Sequence, residues 1–267
     1  MARRVEGKAA IVVGGGQTKG ETIGNGRATA IVLAREGARV LVVDRRLDSA
    51  QETVDMIVAA GGEAWPLEAD VTDEDAVRRL MAAALRRLGR LEILHNNVGA
   101  SLALGDAPAT ELTEAAFQRS FEVNLKATWL TCKHALPALR ETQGSIVNIA
   151  SMAARNAYPL VGYKTTKAAV VALTENLAAA NARHGVRANA ILPGLMNTPM
   201  AIEARVAQGA SREDVIAARD RRVPLRRRMG TGWDVAYAAL YLHSDEAAFV
   251  TGVALAVDGG EGVSWGS

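Results

Sequence analysis

The feature that most constrains this chain is an alternation that runs its whole length. Short runs rich in valine and isoleucine are each followed by a longer segment of helical period. The clear runs are residues 9–13, 39–43, 91–94, 145–149, 188–192 and 253–257, with a weaker one at 63–67. Their near-continuous apolar character predicts strands covered on both faces, as in a parallel sheet. Between them, Val77, Leu80, Met81, Ala84, Leu85 and Leu88 recur at the spacing of one helix face, with Asp73 as its expected N-cap. Strand–helix alternation of this kind implies right-handed βαβ units and an α/β, doubly wound, seven-stranded parallel sheet of Rossmann type, with helices on both faces. The 267 residues fit a single domain, 1–267, in which residues 197–232 break the pattern as a helical insertion expected to cover a substrate.

Composition narrows the function classes. Thirty-one basic against 29 acidic side chains leave a formal charge of +2, too little to make nucleic acid or an anionic membrane the main partner. Aromatics at 4% leave few platforms for stacked bases. One cysteine, Cys132, forbids an internal disulfide and suggests a reducing compartment. The first residues lack the apolar core of a signal peptide, and no run of apolar residues is long enough to span a membrane. The expectation is a cytoplasmic protein without nucleic-acid or membrane partners. His95, His134, His184 and His243 show no metal-ligand spacing, so no metal is expected.

After the first strand comes a turn rich in glycine, Gly14-Gly15-Gly16, then Gly20, Gly24 and Gly26, before the next helical segment. Such a turn lets backbone N–H groups approach a pyrophosphate at a helix N-terminus. Asp44 closes the second strand, 20 residues past Gly24, where a carboxylate can accept both ribose hydroxyls of an adenosine and repel a 2′-phosphate. That favours NAD. Arg45, Arg46 and Lys19 keep NADP open, and Asp44 has an alternative reading as a cap for the following helix.

Tyr163 and Lys167 lie four apart on one predicted helix, so both project from one face. An ammonium beside a phenol favours the phenolate, a competent base for an alcohol. Ser151, at the end of the fifth strand, offers a hydroxyl to hold the reacting oxygen.

On these residues the chain resembles the short-chain dehydrogenase/reductase family over residues 8–260. The resemblance assigns Gly15, Gly24 and Gly26 to the phosphate turn. It gives Asp70 and Val71 to the adenine, and includes Asn97 and Gly99 in the stretch after the fourth strand. It completes a catalytic tetrad of Asn124, Ser151, Tyr163 and Lys167, with Asn124 holding a proton-relay water. Pro193, Gly194 and Thr198 fall to the nicotinamide carboxamide. It implies hydride transfer between a nicotinamide cofactor and a small-molecule secondary alcohol or ketone, cyclic or apolar, in a homotetramer. An NADP-dependent ketone or 3-oxoacyl reductase and a non-catalytic nucleotide-binding regulator are the alternatives. One departure stands out: eight residues separate Gly15 from Gly24, where the family has three. The enoyl reductase branch of the family also alters this turn, but it widens the tyrosine–lysine spacing, which is tight here. Arg155, Tyr158, Leu195 and Met200 are candidate pocket residues. Arg219, Arg221, Arg222, Arg226, Arg227 and Arg228 are expected on a solvated or intersubunit face.

Overall fold

The computed structural model describes residues 3–264, and in them the alternation becomes a seven-stranded sheet covered by helices. The strands are β1 (Ala9–Val13), β2 (Arg39–Asp44), β3 (Glu63–Glu68), β4 (Ile93–Asn96), β5 (Ser145–Ile149), β6 (Arg187–Pro193) and β7 (Ala254–Val257). The α-helices are α1 (Asn25–Arg35), α2 (Leu47–Ala59), α3 (Glu74–Leu88), α4 (Glu114–Phe121), α5 (Ala127–Thr142), α6 (Val161–Asn181), α7 (Pro199–Val206), α8 (Arg212–Asp220) and α9 (Gly232–His243). All pairings are parallel, in the spatial order β3-β2-β1-β4-β5-β6-β7. The order reverses between β1 and β4, so a crevice opens beyond their carboxyl ends, the place where open α/β sheets bind ligands.

Because successive strand residues face opposite sides, β1 feeds two cores. Ile11 packs with Leu94, Leu130 and Ile146 on one face, while Ala10 and Val12 pack with Leu33, Val40 and Leu240 on the other. Side chains as fully buried as Ile11 and Leu33 each contribute about 1.5–3 kcal/mol. Asp73 caps α3 by accepting from the Asp75 N–H.

Two local expectations shift. β4 starts at Ile93 rather than 91 and runs through His95 and Asn96, both buried although polar. Partners in the sheet and on the helices covering it permit this: Asn96 donates to Asn148 of β5 (2.9 Å) and accepts from Thr131 of α5 (2.9 Å), while His95 stacks edge-on against His243 of α9. Leu85, read as part of the buried face of α3, is exposed, since the stripe in contact is Val77, Leu80, Met81, Ala84 and Leu88. Residues 197–232 hold α7 and α8 around a small separate core of Ile202, Val215, Val223 and Met229.

Candidate active site

A cleft of about 830 Å³ runs along the carboxyl ends of the central strands. Ser151, at the end of β5, opens a single 3₁₀ turn by accepting from the Ala153 N–H at 3.1 Å, which fixes its hydroxyl at the cleft edge. Tyr163 and Lys167, one turn apart in α6, both line the cleft, and the Lys167 ammonium sits 5.8 Å from the Tyr163 ring centre. Main-chain carbonyls of Ile149 (2.8 Å) and Val98 (3.4 Å) hold that ammonium. Burial pushes Lys167 down to about 8 and the Tyr163 phenol up to about 12, with the Ser151 hydroxyl pulling the phenol the other way. The sequence predicts a phenol lowered by Lys167. In the structure desolvation dominates instead, because the ammonium turns to carbonyls behind the ring.

Asn124 does not line the cleft. It lies buried in a π turn, Glu122–Lys126, between α4 and α5. Its side chain accepts from Ala100 N (2.8 Å) and donates to Ala100 O (3.0 Å) and Thr166 (3.2 Å), tying the loop after β4 to the helix that carries Lys167.

The sequence gives no sign of Asp106. Nine-tenths buried in the loop after β4, it accepts from the N–H groups of Gly162 (2.8 Å) and Tyr163 (2.9 Å) and from the Ser101 hydroxyl (3.0 Å). It therefore caps the first turn of α6, where a carboxylate also meets the favourable end of the helix dipole. The cap lies more than fifty residues upstream of its helix, so no local spacing announces it.

At the far end, Gly14, Gly16, Gly24, Asp44, Asp70 and Val71 line the cleft, Asn97 and Gly99 continue it, Gly99 directly against Lys167, and Pro193, Gly194, Leu195, Thr198, Met200 and Tyr158 line it too. Gly15 and Gly26 lie behind it. A Cβ on Gly26 would fall 2.0 Å from the Gly14 carbonyl oxygen, so this glycine serves helix-to-turn contact rather than a phosphate. Arg155 is exposed and away from the cleft. Of the arginine cluster, Arg221, Arg222, Arg226, Arg227 and Arg228 are exposed, but Arg219 turns inward and lines the cleft, against expectation. Its guanidinium follows α8 under the residues after β6, a direction set by the fold of residues 197–232.

The lengthened turn is ordered by Gln17. Its side chain accepts from Gly24 N (2.9 Å) and donates to Thr22 O (3.3 Å), while its main chain exchanges hydrogen bonds with Ser49. Arg46 donates to Gln17 O at 2.8 Å, so its guanidinium is already engaged. The tip reaches across the cleft: Gly20 packs against Pro199 and Glu203, and Arg212 of α8 pairs bidentately with Glu203 (2.9 and 2.8 Å) and lies 3.8 Å from Glu21.

A nicotinamide dinucleotide fits this cleft. A Cβ on Gly16 would lie 2.7 Å from Asp44 Oδ2, so the turn keeps that space clear beside the carboxylate. The first-turn N–H groups of α1 lack intrahelical acceptors, as a pyrophosphate requires. Asn25 Oδ1 is buried at the cleft with no partner among the described residues, an acceptor left for a hydroxyl.

The family described as enoyl-(acyl carrier protein) reductase matches residues 21–261. The chain is 37% identical over 259 residues to a 2,5-dichloro-2,5-cyclohexadiene-1,4-diol dehydrogenase of Sphingobium indicum, covering 96% of this chain and 97% of that one. It is 39% identical over 261 residues to a 4-formylbenzenesulfonate dehydrogenase of Comamonas testosteroni, covering 96% and 98%. A crystal structure assigned to the short-chain dehydrogenase/reductases, from Burkholderia xenovorans, superposes with a TM-score of 0.94 at 41% identity, covering 99% of this chain and 100% of that one. Fold, cleft and kinship agree: the chain belongs to the short-chain dehydrogenase/reductase family, oxidoreductases that work with a nicotinamide cofactor.

Proposed function

We propose that this protein is a cytoplasmic, NAD-dependent dehydrogenase of cyclic secondary alcohols, working reversibly on the alcohol and its ketone. The observation that carries the reading is the convergence of Ser151, Tyr163 and Lys167 on one end of a cleft whose other end carries Asp44. The diol dehydrogenase among its relatives supports a ring-bearing substrate, and Leu102, Leu104, Leu195 and Met200 supply an apolar wall for one.

In alcohol oxidation, Tyr163 takes the hydroxyl proton while Ser151 Oγ holds the oxygen from which it leaves. Lys167, anchored by Ile149 O and Val98 O, offers its remaining N–H to a ribose hydroxyl and steadies the phenolate through space. Asn124 keeps the helix of Lys167, through Thr166, in register with the loop after β4, and in this reading a water beside it would return the proton to solvent. A nicotinamide held in this cleft would supply the hydride acceptor for oxidation and the donor for reduction. Asp44 receives the adenosine ribose. No salt bridge neutralises it among the described residues, so its carboxylate would repel a 2′-phosphate placed on that ribose, while one guanidinium N–H of Arg46 is taken up by Gln17 O. Arg45, exposed at the same edge, is the feature that favours the second reading, an NADP-dependent ketone reductase.

Light scattering should give a tetramer. Phe117, Phe121 and Trp129 on α4 and α5 are 43%, 39% and 44% exposed along one stripe, an apolar face that a second copy would cover. The deciding assay follows NADH formation from a panel of cyclic alcohols, with Tyr163→Phe as control. Turnover that vanishes in the variant supports the reading, and equal turnover in both overturns it.

A further inference from the structure

Among the cations that line the cleft, two from the segment after β6 have no part in the proposed chemistry. Arg205 of α7 and Arg219 of α8 both line it, on the side of Tyr158, Leu195 and Met196. Neither forms an ion pair among the described residues. Arg205 donates to the Ala201 carbonyl at 2.6 Å. Arg219 reaches only neutral atoms, the Met229 sulfur at 3.2 Å and the Met196 carbonyl at 3.4 Å.

The neighbouring carboxylates are committed elsewhere. Glu203 holds Arg212 bidentately and Glu261 pairs with Arg222 at 3.2 Å. Asp220 accepts from Met229 N at 2.7 Å, and Asp258 accepts from Gly260 N and Gly262 N. Arg219 is partly buried, and desolvation followed by repulsion from Arg205 pulls its guanidinium down to about 10. Arg219, desolvated beside a second guanidinium, has no ion-pair partner among the described residues and feels Glu261 only at longer range, so a planar oxyanion between the two arginines would lower the free energy of the empty pocket. Arg219 is close enough to Tyr158 to interact with it electrostatically, and the Tyr158 ring lies 5.8 Å from the Tyr163 ring, so such a group would bind on the Tyr158 side of the reacting centre.

We infer that Arg205 and Arg219 form an anion subsite, and that the substrate is an alcohol whose ring carries a carboxylate or sulfonate. The inference rests on the proposed function for its reacting end and on these two residues alone for its anionic end. Recognition of this kind lowers KM and fixes which face of the carbinol carbon meets the nicotinamide.

The experiment measures benzoate and benzamide binding by calorimetry, with and without saturating NADH, in the wild type and in Arg219→Met and Arg205→Met. Expected is benzoate binding about tenfold or more tighter than benzamide, with that advantage lost in Arg219→Met and reduced in Arg205→Met. In turnover, 3-hydroxycyclohexane-1-carboxylate should show a KM about tenfold below that of cyclohexanol, a gap that closes in Arg219→Met. Equal affinity for benzoate and benzamide overturns the subsite, and so does an advantage that survives both substitutions. A tenfold loss of NADH affinity in the variants with the benzoate preference intact also overturns it, giving these arginines to the cofactor pyrophosphate instead. Selective benzoate binding without turnover of any alcohol would leave the subsite standing and remove the proposed function. Turnover of cyclohexanol with no benefit from the carboxylate would do the reverse.

Discussion

The wall of the cleft that carries Tyr163 and Lys167 and the wall that closes over it are held by different kinds of bond. The first is fastened by buried and half-buried hydrogen bonds to main-chain atoms: Lys167 on Ile149 and Val98, Asn124 on Ala100, and Asp106 on the first turn of α6. The second comprises residues 16–24 and 197–232. It has its own small core and meets the rest largely through side chains, with Gly20 against Glu203 and Arg212 bridging Glu203 and Glu21. Buried main-chain anchors cannot be exchanged for water without large cost, whereas partly exposed ion pairs can. The first wall is therefore suited to fixing reacting atoms, and the second to opening and shaping the pocket.

That contrast can be broken by mutation. Tyr163→Phe should lower kcat by about 10²–10⁴-fold with NADH affinity nearly unchanged, measured by stopped-flow rates and fluorescence titration. A similar loss from a substitution in residues 197–232 remote from the cleft would erase the distinction. Asp44→Ala should shift the ratio of NADPH to NADH affinity by about tenfold or more toward NADPH, as repulsion of the 2′-phosphate disappears. Asp106→Ala should cost about 0.5–2 kcal/mol in urea unfolding and lower kcat more than it raises KM, because the cap it removes holds the turn bearing Tyr163. Asp106→Asn should recover part of both. Arg212→Gln should raise KM only a few-fold and change stability by about 1 kcal/mol or less, as a pair still in reach of solvent contributes about 0–1 kcal/mol. Hydrogen exchange in that variant should quicken in residues 16–24 and 199–220 together and stay unchanged in α6.

pH adds a test confined to the first wall. Lys167 is lowered from 10.5 to about 8, so between those values the native state binds fewer protons than the unfolded chain, and stability rises with pH. Tyr163 is raised from 10 to about 12, so across that interval the native state binds more protons and stability falls as pH rises. Urea midpoints from pH 8 to 12 should rise and then fall, and Lys167→Met should lose the rising part. Alcohol oxidation should speed up with pH, since the base must be unprotonated, and Lys167→Met should move that limb upward.

The same division governs what could be read from the chain. Tyr163, Lys167 and Ser151 were legible because helix period and strand end bring them to one place by local geometry. Asp44 followed from its position at a strand end, whereas Asp70 and Val71 came from the family resemblance alone. Gly26 was legible as a necessary glycine but not in its role, since only the approach of the Gly14 carbonyl reveals which atom excludes a side chain. Arg219 was misread with its exposed neighbours, because a run of arginines looks alike in sequence whichever of them the fold turns inward.

What the sequence determined by itself was everything set by periodicity and short range: parallel strands from unbroken apolar runs, helices from their stripes, and the tyrosine–lysine pair one turn apart. Only the tertiary structure decided the contacts between distant segments. Asp106 caps a helix that begins 55 residues later, Gly20 touches Glu203, and Arg205 and Arg219 face one pocket without an ion-pair partner among the described residues. The physical reason is that backbone hydrogen bonding and side-chain period act over a few residues. Charge pairing and desolvation depend on which groups become neighbours once the sheet has closed, and no local pattern in the chain records that.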